Sequence, residues 1–140
     1  MKIIIIYYLL FYFAIVIHEL GHFIAGIIIK LKSNNCYIGE ELFRIKIVNF
    51  NISWLAFSGY NECNLSEISQ KKIIEIIIYY FSGSFGNIIY IIFSLFFLKN
   101  YFSMILILNL LTIFLSLFPF FLKNDLNEMK KIIKASKKIK

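Results

Sequence analysis

His18 and His22 stand four residues apart, with Glu19 next to the first, in the run His18-Glu19-Leu20-Gly21-His22. On a helix that spacing projects both imidazoles from one face, where they can share a single metal ion. Glu19 lies one position along, able to reach a water on that ion without binding the ion itself. The arrangement suits hydrolysis: zinc lowers the pKa of a bound water to about 7, and a neighbouring carboxylate can take its proton. A plainer alternative is three polar residues satisfying one another inside a helix bundle. Their setting weighs against it, because Ile3 to Ile17 is apolar without a break and Phe23 to Ile29 is apolar apart from Gly26. At membrane depth each ionisable side chain costs about 2.5–3.5 kcal/mol. A bound metal would offset that cost.

The elements that must hold these residues are themselves apolar. Of 140 residues, 60% are hydrophobic, and the mean hydropathy of +0.78 places the chain in the integral-membrane class. Three stretches reach the roughly 20 residues that cross a hydrocarbon core: about 3–29, 73–98 and 101–122. Only Lys99-Asn100 separates the last two, so they form a helical hairpin. The whole of 1–140 reads as one domain. Its opening, Met1-Lys2-Ile3, resembles the start of a signal peptide. No small-x-small site follows, however, and the apolar run continues, so it reads as a retained span.

The net charge of +7 is distributed unevenly. Lys30, Lys32, Arg44, Lys46, Lys71 and Lys72 lie in the connection between the first two spans, and seven lysines follow Leu122. Only Lys2 and Lys99 fall on the other side. Basic loops stay in the cytoplasm, which sets the N-terminus outside and the C-terminus inside, at the plasma membrane. His22 then lies about 12 Å and His18 about 18 Å from the cytoplasmic end of the first helix, so a polar path for water is required. Basic residues at the ends of apolar runs suit an anionic leaflet, and without an aromatic-interleaved basic groove nucleic acid is excluded as a partner. Cys36 and Cys63 lack metal-ligand spacing and are expected on the reducing cytoplasmic side.

Between the first two spans, residues of about 42–57 alternate apolar and polar, with Phe43, Ile45 and Ile47 set against Arg44 and Lys46. After a slip at Val48-Asn49 the alternation resumes through Phe50, Ile52 and Trp54. Period two predicts a β-hairpin or small sheet, with the slip as a turn or bulge. It serves as a lid over the helices, or one edge accepts an extended substrate segment as an added strand. In the second span, small residues at 82, 83, 84 and 86 permit close helix approach. Asn87 beside them is a candidate for an interhelical hydrogen bond or for substrate binding. Pro119, the only proline, breaks or kinks the third span, and Asp125 follows where the chain could turn back towards the histidines. The tail 126–140 reads as a basic amphipathic helix, either lying on the inner leaflet or frayed.

Taken together, these stretches resemble the site-2 protease family of intramembrane zinc metalloproteases, as a minimal three-helix core. The histidine motif with Gly21 matches closely. Gly59-Tyr60 looks like the family's glycine-glycine-tyrosine turn, with Ser58 in place of the first glycine. Gly83 to Asn87 is similar to its glycine-proline-x-alanine-asparagine motif, with Ser84 and Gly86 substituted. Ser116 to Asp125 looks like its asparagine-x-x-proline segment leading to aspartate-glycine, with Ser116 for asparagine and Leu126 for glycine. The resemblance implies hydrolysis of a peptide bond in a membrane-spanning or membrane-associated peptide. It implies one zinc on His18, His22 and Asp125, Glu19 as the base, and Asn87 as a substrate contact. Glu128, three residues beyond Asp125, is the alternative third ligand. An accessory membrane subunit or a homo-oligomer is open as a partner. Two other readings remain: a metal-binding membrane protein without proteolysis, and an inactive scaffold of the same family. The first would need ion-pathway acids on more than one helix, and the intact Glu19 argues against the second.

Overall fold

A computed structural model of the chain describes residues 2–32, 34–39, 44–54, 58–117 and 125–139. Its frame is three long apolar helices, α1 (Lys2–Ile28), α3 (Ile73–Phe97) and α4 (Phe102–Leu117). A 3-10 turn at Lys99–Tyr101 joins the last two. α1, α3 and the run Lys99–Leu117, which adds the turn to α4, are long and apolar enough to cross a membrane. The expected extension of the third span to 122, with its break at Pro119, lies outside the described residues.

In α1 the buried residues are Ala14, Ile15, His18, Glu19, His22, Ala25 and Gly26. They recur at helical spacing and form one stripe, so His18 and His22, the candidate ligand pair, lie on the packing face. The opposite face carries exposed Phe13, Ile24 and Ile27. Close approach of α1 to α3 depends on Gly21, where a β-carbon would stand 2.3 Å from the Ser82 carbonyl oxygen. α1 ends at Lys30, whose φ of 57° turns the chain, while the Leu31 N–H returns to the Gly26 carbonyl at 2.9 Å.

The expected hairpin is present as part of a larger sheet. β2 (Ile45–Ile47) and β3 (Phe50–Ile52) are antiparallel across the slip, where Val48 has a φ of 53°. Two further strands, β1 (Asn34–Ile38) and β4 (Gly59–Cys63), complete the order β2-β3-β1-β4, with β1 and β3 parallel and β1 and β4 antiparallel. The sheet therefore reaches beyond the expected 42–57. β1 buries Asn34, Cys36 and Ile38 in alternation, but polar Asn34 stands inside and aromatic Tyr37 between the others, which hid its period. Ile38 and Cys36 pack on Ile15 of α1, with Phe11, Phe23, Phe50 and Ile52 around them. Tyr8 and Tyr12 hydroxyls donate to the carbonyls of Trp54 and Ser53. The alternation in β2 does not mark a buried face, since Ile45 and Ile47 are both exposed.

α2 (Leu65–Ser69) and α5 (Asp125–Ile139) close the end of the bundle near the termini of α1 and α3. Ile68 of α2 joins Ile76, Tyr79 and Tyr80 of α3 and Met129 and Ile132 of α5 in one core, together with Ala25, Ile29 and Leu31. This corrects the expectation of an apolar tail face on lipid. That face is taken up by α2 and α3, and Lys130, Lys131 and Lys134 point away from the core. Glu75, at the start of α3, accepts the Lys72 backbone N–H at 2.8 Å. Both cysteines are free, and the register sets Cys36 opposite Asn61 and Cys63 opposite Asn34.

Candidate metal centre

Helical spacing in α1 brings His18 and His22 together, with their Nε2 atoms 3.3 Å apart. α5 delivers the third group: Asp125 Oδ2 lies 3.2 Å from His18 Nε2 and 3.3 Å from His22 Nε2. Donor atoms of the three residues all fall within 4.8 Å of one another, and this is the metal-type group found among the described residues. Glu128 is not in it. Its carboxylate pairs instead with Lys131 at 3.2 Å.

The far side of each imidazole bears on the fit to a metal. His22 Nδ1 lies 2.8 Å from the Tyr79 carbonyl, which can only accept. The proton therefore belongs on Nδ1, leaving the Nε2 lone pair free for a metal. His18 Nδ1 lies 3.4 Å from the Asn87 carboxamide, whose Oδ1 is buried without a partner among the described residues. Turning that amide over would let Oδ1 accept from His18 Nδ1–H and free the second Nε2 in the same way. Asp125 is suited to the third position. Burial would raise its carboxyl, but in the metal-free centre hydrogen bonding from protonated His18 and His22, and their charge, hold it well below the ordinary carboxylate range; a metal would take the place of those protons. Two imidazoles and a carboxylate are a common catalytic zinc set, with a fourth position left open.

Glu19 is buried beside this group. Asn61 of β4 holds it, donating from Nδ2 to Glu19 Oε2 at 2.7 Å and to the Glu19 backbone carbonyl at 3.0 Å. Gly59 of the same strand lies against it, so that a β-carbon there would be 2.5 Å from Glu19 Cγ. Glu19 and Asp125 line two cavities. One, of about 200 Å³, is bounded by Phe11, Ile15 and Leu115; the other, of about 670 Å³, by Tyr60, Asn61 and Tyr80.

The remaining expected residues are spread differently. Asn87 is fully buried on α3 against His18, so its contact is interhelical. Ser116 lines the smaller cavity and lies 3.2 Å from the Ser84 hydroxyl. Asn61 was not among the expected residues. Its one signal is its place two residues after Gly59, on the strand that the turn motif opens.

Among the described residues β4 is an edge strand, with no strand on its side away from β1. The Gly39 N–H donates to the Ser58 carbonyl at 2.8 Å, so even-numbered residues of this segment face β1 with their backbone groups. Gly59, Asn61 and Cys63 therefore turn their N–H and C=O groups away from β1.

Fold and cluster together define an apolar helical bundle built around a candidate hydrolytic metal site. The sequence profile of peptidase family M50 matches residues 6–139. The chain belongs to this family, that of the site-2 proteases. At the level of the family, membership implies intramembrane metalloprotease function and dependence on zinc. No curated protein and no solved structure gives a significant match.

Proposed function

We propose that this chain is a zinc-dependent intramembrane endopeptidase acting on a membrane-spanning or membrane-associated peptide. The observation that carries the reading is the convergence of His18 Nε2, His22 Nε2 and Asp125 Oδ2 beside a buried Glu19 that binds none of them. A zinc held by these three would acidify water and polarise the scissile carbonyl. Glu19, aimed by Asn61, accepts a proton from the attacking water and returns it to the departing amine. Asn87 and the Tyr79 carbonyl hold the two imidazoles in the orientation that presents Nε2.

A helical substrate must unwind before its carbonyl can be attacked, and the free side of β4 suits the unwound segment. A peptide laid along it would bond to the Gly59 and Asn61 backbone and pass Glu19 as an added strand. Neither rival reading gains an observation. Of the spans' acidic residues, Glu19 is at the cluster and Glu75 caps α3, so no acidic ion path runs through the helices.

The orientation with the N-terminus outside and the C-terminus in the cytoplasm belongs to this proposal, and a reporter fused after Lys140 that proved external would reject it. The central test joins metal analysis to Glu19→Gln. The parent should hold zinc near one equivalent and cut a membrane peptide; the amide variant should keep the zinc and lose the cutting. Cleavage by Glu19→Gln at the parental rate would overturn the mechanism.

A further inference from the structure

The larger cavity at the cluster is acidic in a basic chain. Lysine and arginine outnumber aspartate and glutamate 15 to 8. Nevertheless Glu19, Glu62, Asp125 and Glu128 line this cavity, and no lysine or arginine is among its lining residues that the structure describes. Glu19 and Asp125 belong to the centre already described. Glu62 and Glu128 do not: one comes from β4 and the other from α5.

Two buried atoms in the same wall need a partner. Asn61 spends its Nδ2 on Glu19, and its Oδ1 is unpartnered among the described residues. Tyr79 is 3% exposed, and its hydroxyl has only the weakly bonding Cys63 thiol as a hydrogen-bond neighbour among them. A buried polar group left without a partner costs about 1–3 kcal/mol, so such atoms point to a ligand.

The chemistry of the set is one-sided. Carboxylates and a carboxamide oxygen only accept hydrogen bonds, and a phenol oxygen can accept. An ammonium or a guanidinium only donates, and matches them. Existing partners do not fill the need. Lys131, which pairs with Glu128, is 66% exposed, and a pair so open to water is readily exchanged. The Tyr37 hydroxyl donates to Glu62 Oε2 at 2.8 Å, which steadies that carboxylate without neutralising it.

We propose that the cavity between β4 and α5 is a subsite for a lysine or arginine side chain of the substrate, with Glu62 and Glu128 selecting the charge. The inference rests on the peptidase reading above and adds a specificity to it. A strand added along β4 runs past Asn61 and Cys63, and so delivers a side chain to this cavity beside the scissile bond.

The test uses the whole chain carrying Glu19→Gln, in nanodiscs of neutral phosphatidylcholine, so that binding is read without cleavage. The probes are fluorescent membrane-spanning peptides that differ only in carrying Lys, Gln or Glu at one position, scanned along the segment flanking the apolar run. At one position the Lys peptide should bind about tenfold tighter than the Glu peptide, a difference of about 1.4 kcal/mol. This would hold although the chain's net charge of +7 favours the acidic peptide. Glu62→Gln with Glu128→Gln should bring the ratio near one, and Glu128→Lys should invert it, which misfolding cannot do. Equal binding of Lys and Glu peptides at every position, or a preference unmoved by both variants, overturns the subsite. Cleavage by the unmutated chain is scored separately. Lysine-selective binding without cutting would reject the peptidase reading alone, and cutting without preference would reject the subsite alone.

Discussion

Gly83 of α3 lies directly against His22 of α1: a β-carbon at position 83 would stand 2.5 Å from His22 Nε2 and 2.7 Å from His18 Nε2. The missing side chain leaves the space in which the two imidazoles meet Asp125. Gly83→Ala is therefore expected to weaken metal binding by about ten- to hundredfold, through displacement of the ligands. Titration of the apo protein with zinc checks this, and parental affinity in the alanine variant would contradict it.

Asn61 holds Glu19, the proposed base, and has no hydrogen bond to His18, His22 or Asp125 among the described residues. Asn61→Ala should lower kcat by about ten- to hundredfold, the scale of a small misplacement of a reacting group, with zinc content unchanged. The measurement is paired kinetics and metal analysis. A variant that cuts at the parental rate would show that Glu19 is held by other contacts.

Asp125 and Glu128 are both acids of the first turn of α5, yet only the first meets the histidines. Asp125→Ala should lose zinc, and Glu128→Ala should keep it, because Glu128 stands outside the group of converging donor atoms. The reverse pattern would move the third ligand by three residues.

Cys36 offers a pH-dependent probe of the sheet. Burial, and then the charge of Glu19, pushes its thiol up to about 12 from an ordinary value near 9. Only about 10⁻⁴ of it would be thiolate at pH 8, so alkylation in the folded chain should be far slower than in the unfolded one. Between pH 9 and 12 the folded state keeps a proton that the unfolded state releases, so this group makes stability fall as pH rises through that window. Rapid labelling of Cys36 at pH 8 in the folded protein would contradict the packing of β1 on α1.

Local order explains which parts were legible in advance. His18, Glu19 and His22 share one helix, and helical spacing alone puts both ligands on a face. The hairpin of β2 and β3 is likewise local, with its turn at the break in alternation. β1 was hidden because polar Asn34 fills an inward position while aromatic Tyr37 stands on the other face. Asn34 spends its amide on the Phe23 carbonyl at 2.8 Å. Its parallel pairing with β3 depends on residues far apart in the chain and leaves no local signature. Asn61 was missed for a related reason: its role follows from how β4 crosses α1, and nothing within the strand announces it. The apolar stripe of α5 was visible, but whether protein or lipid covers it depends on Ile68 and Ile76, which arrive from other elements.

Asp125 is separated from His18 by 107 positions. A metal joining them would act as a cross-link over most of the chain, much as a disulfide does. For a covalent bridge closing a loop of about 100 residues, the lost freedom of the unfolded chain is worth about 4.7 kcal/mol. The centre would thus also be a clasp between α1 and α5, and α5, whose Met129 and Ile132 are seated in the core, would be the arm that shuts it. Retention of the ion and docking of α5 are then reciprocal: loosening either one must loosen the other by the same free energy.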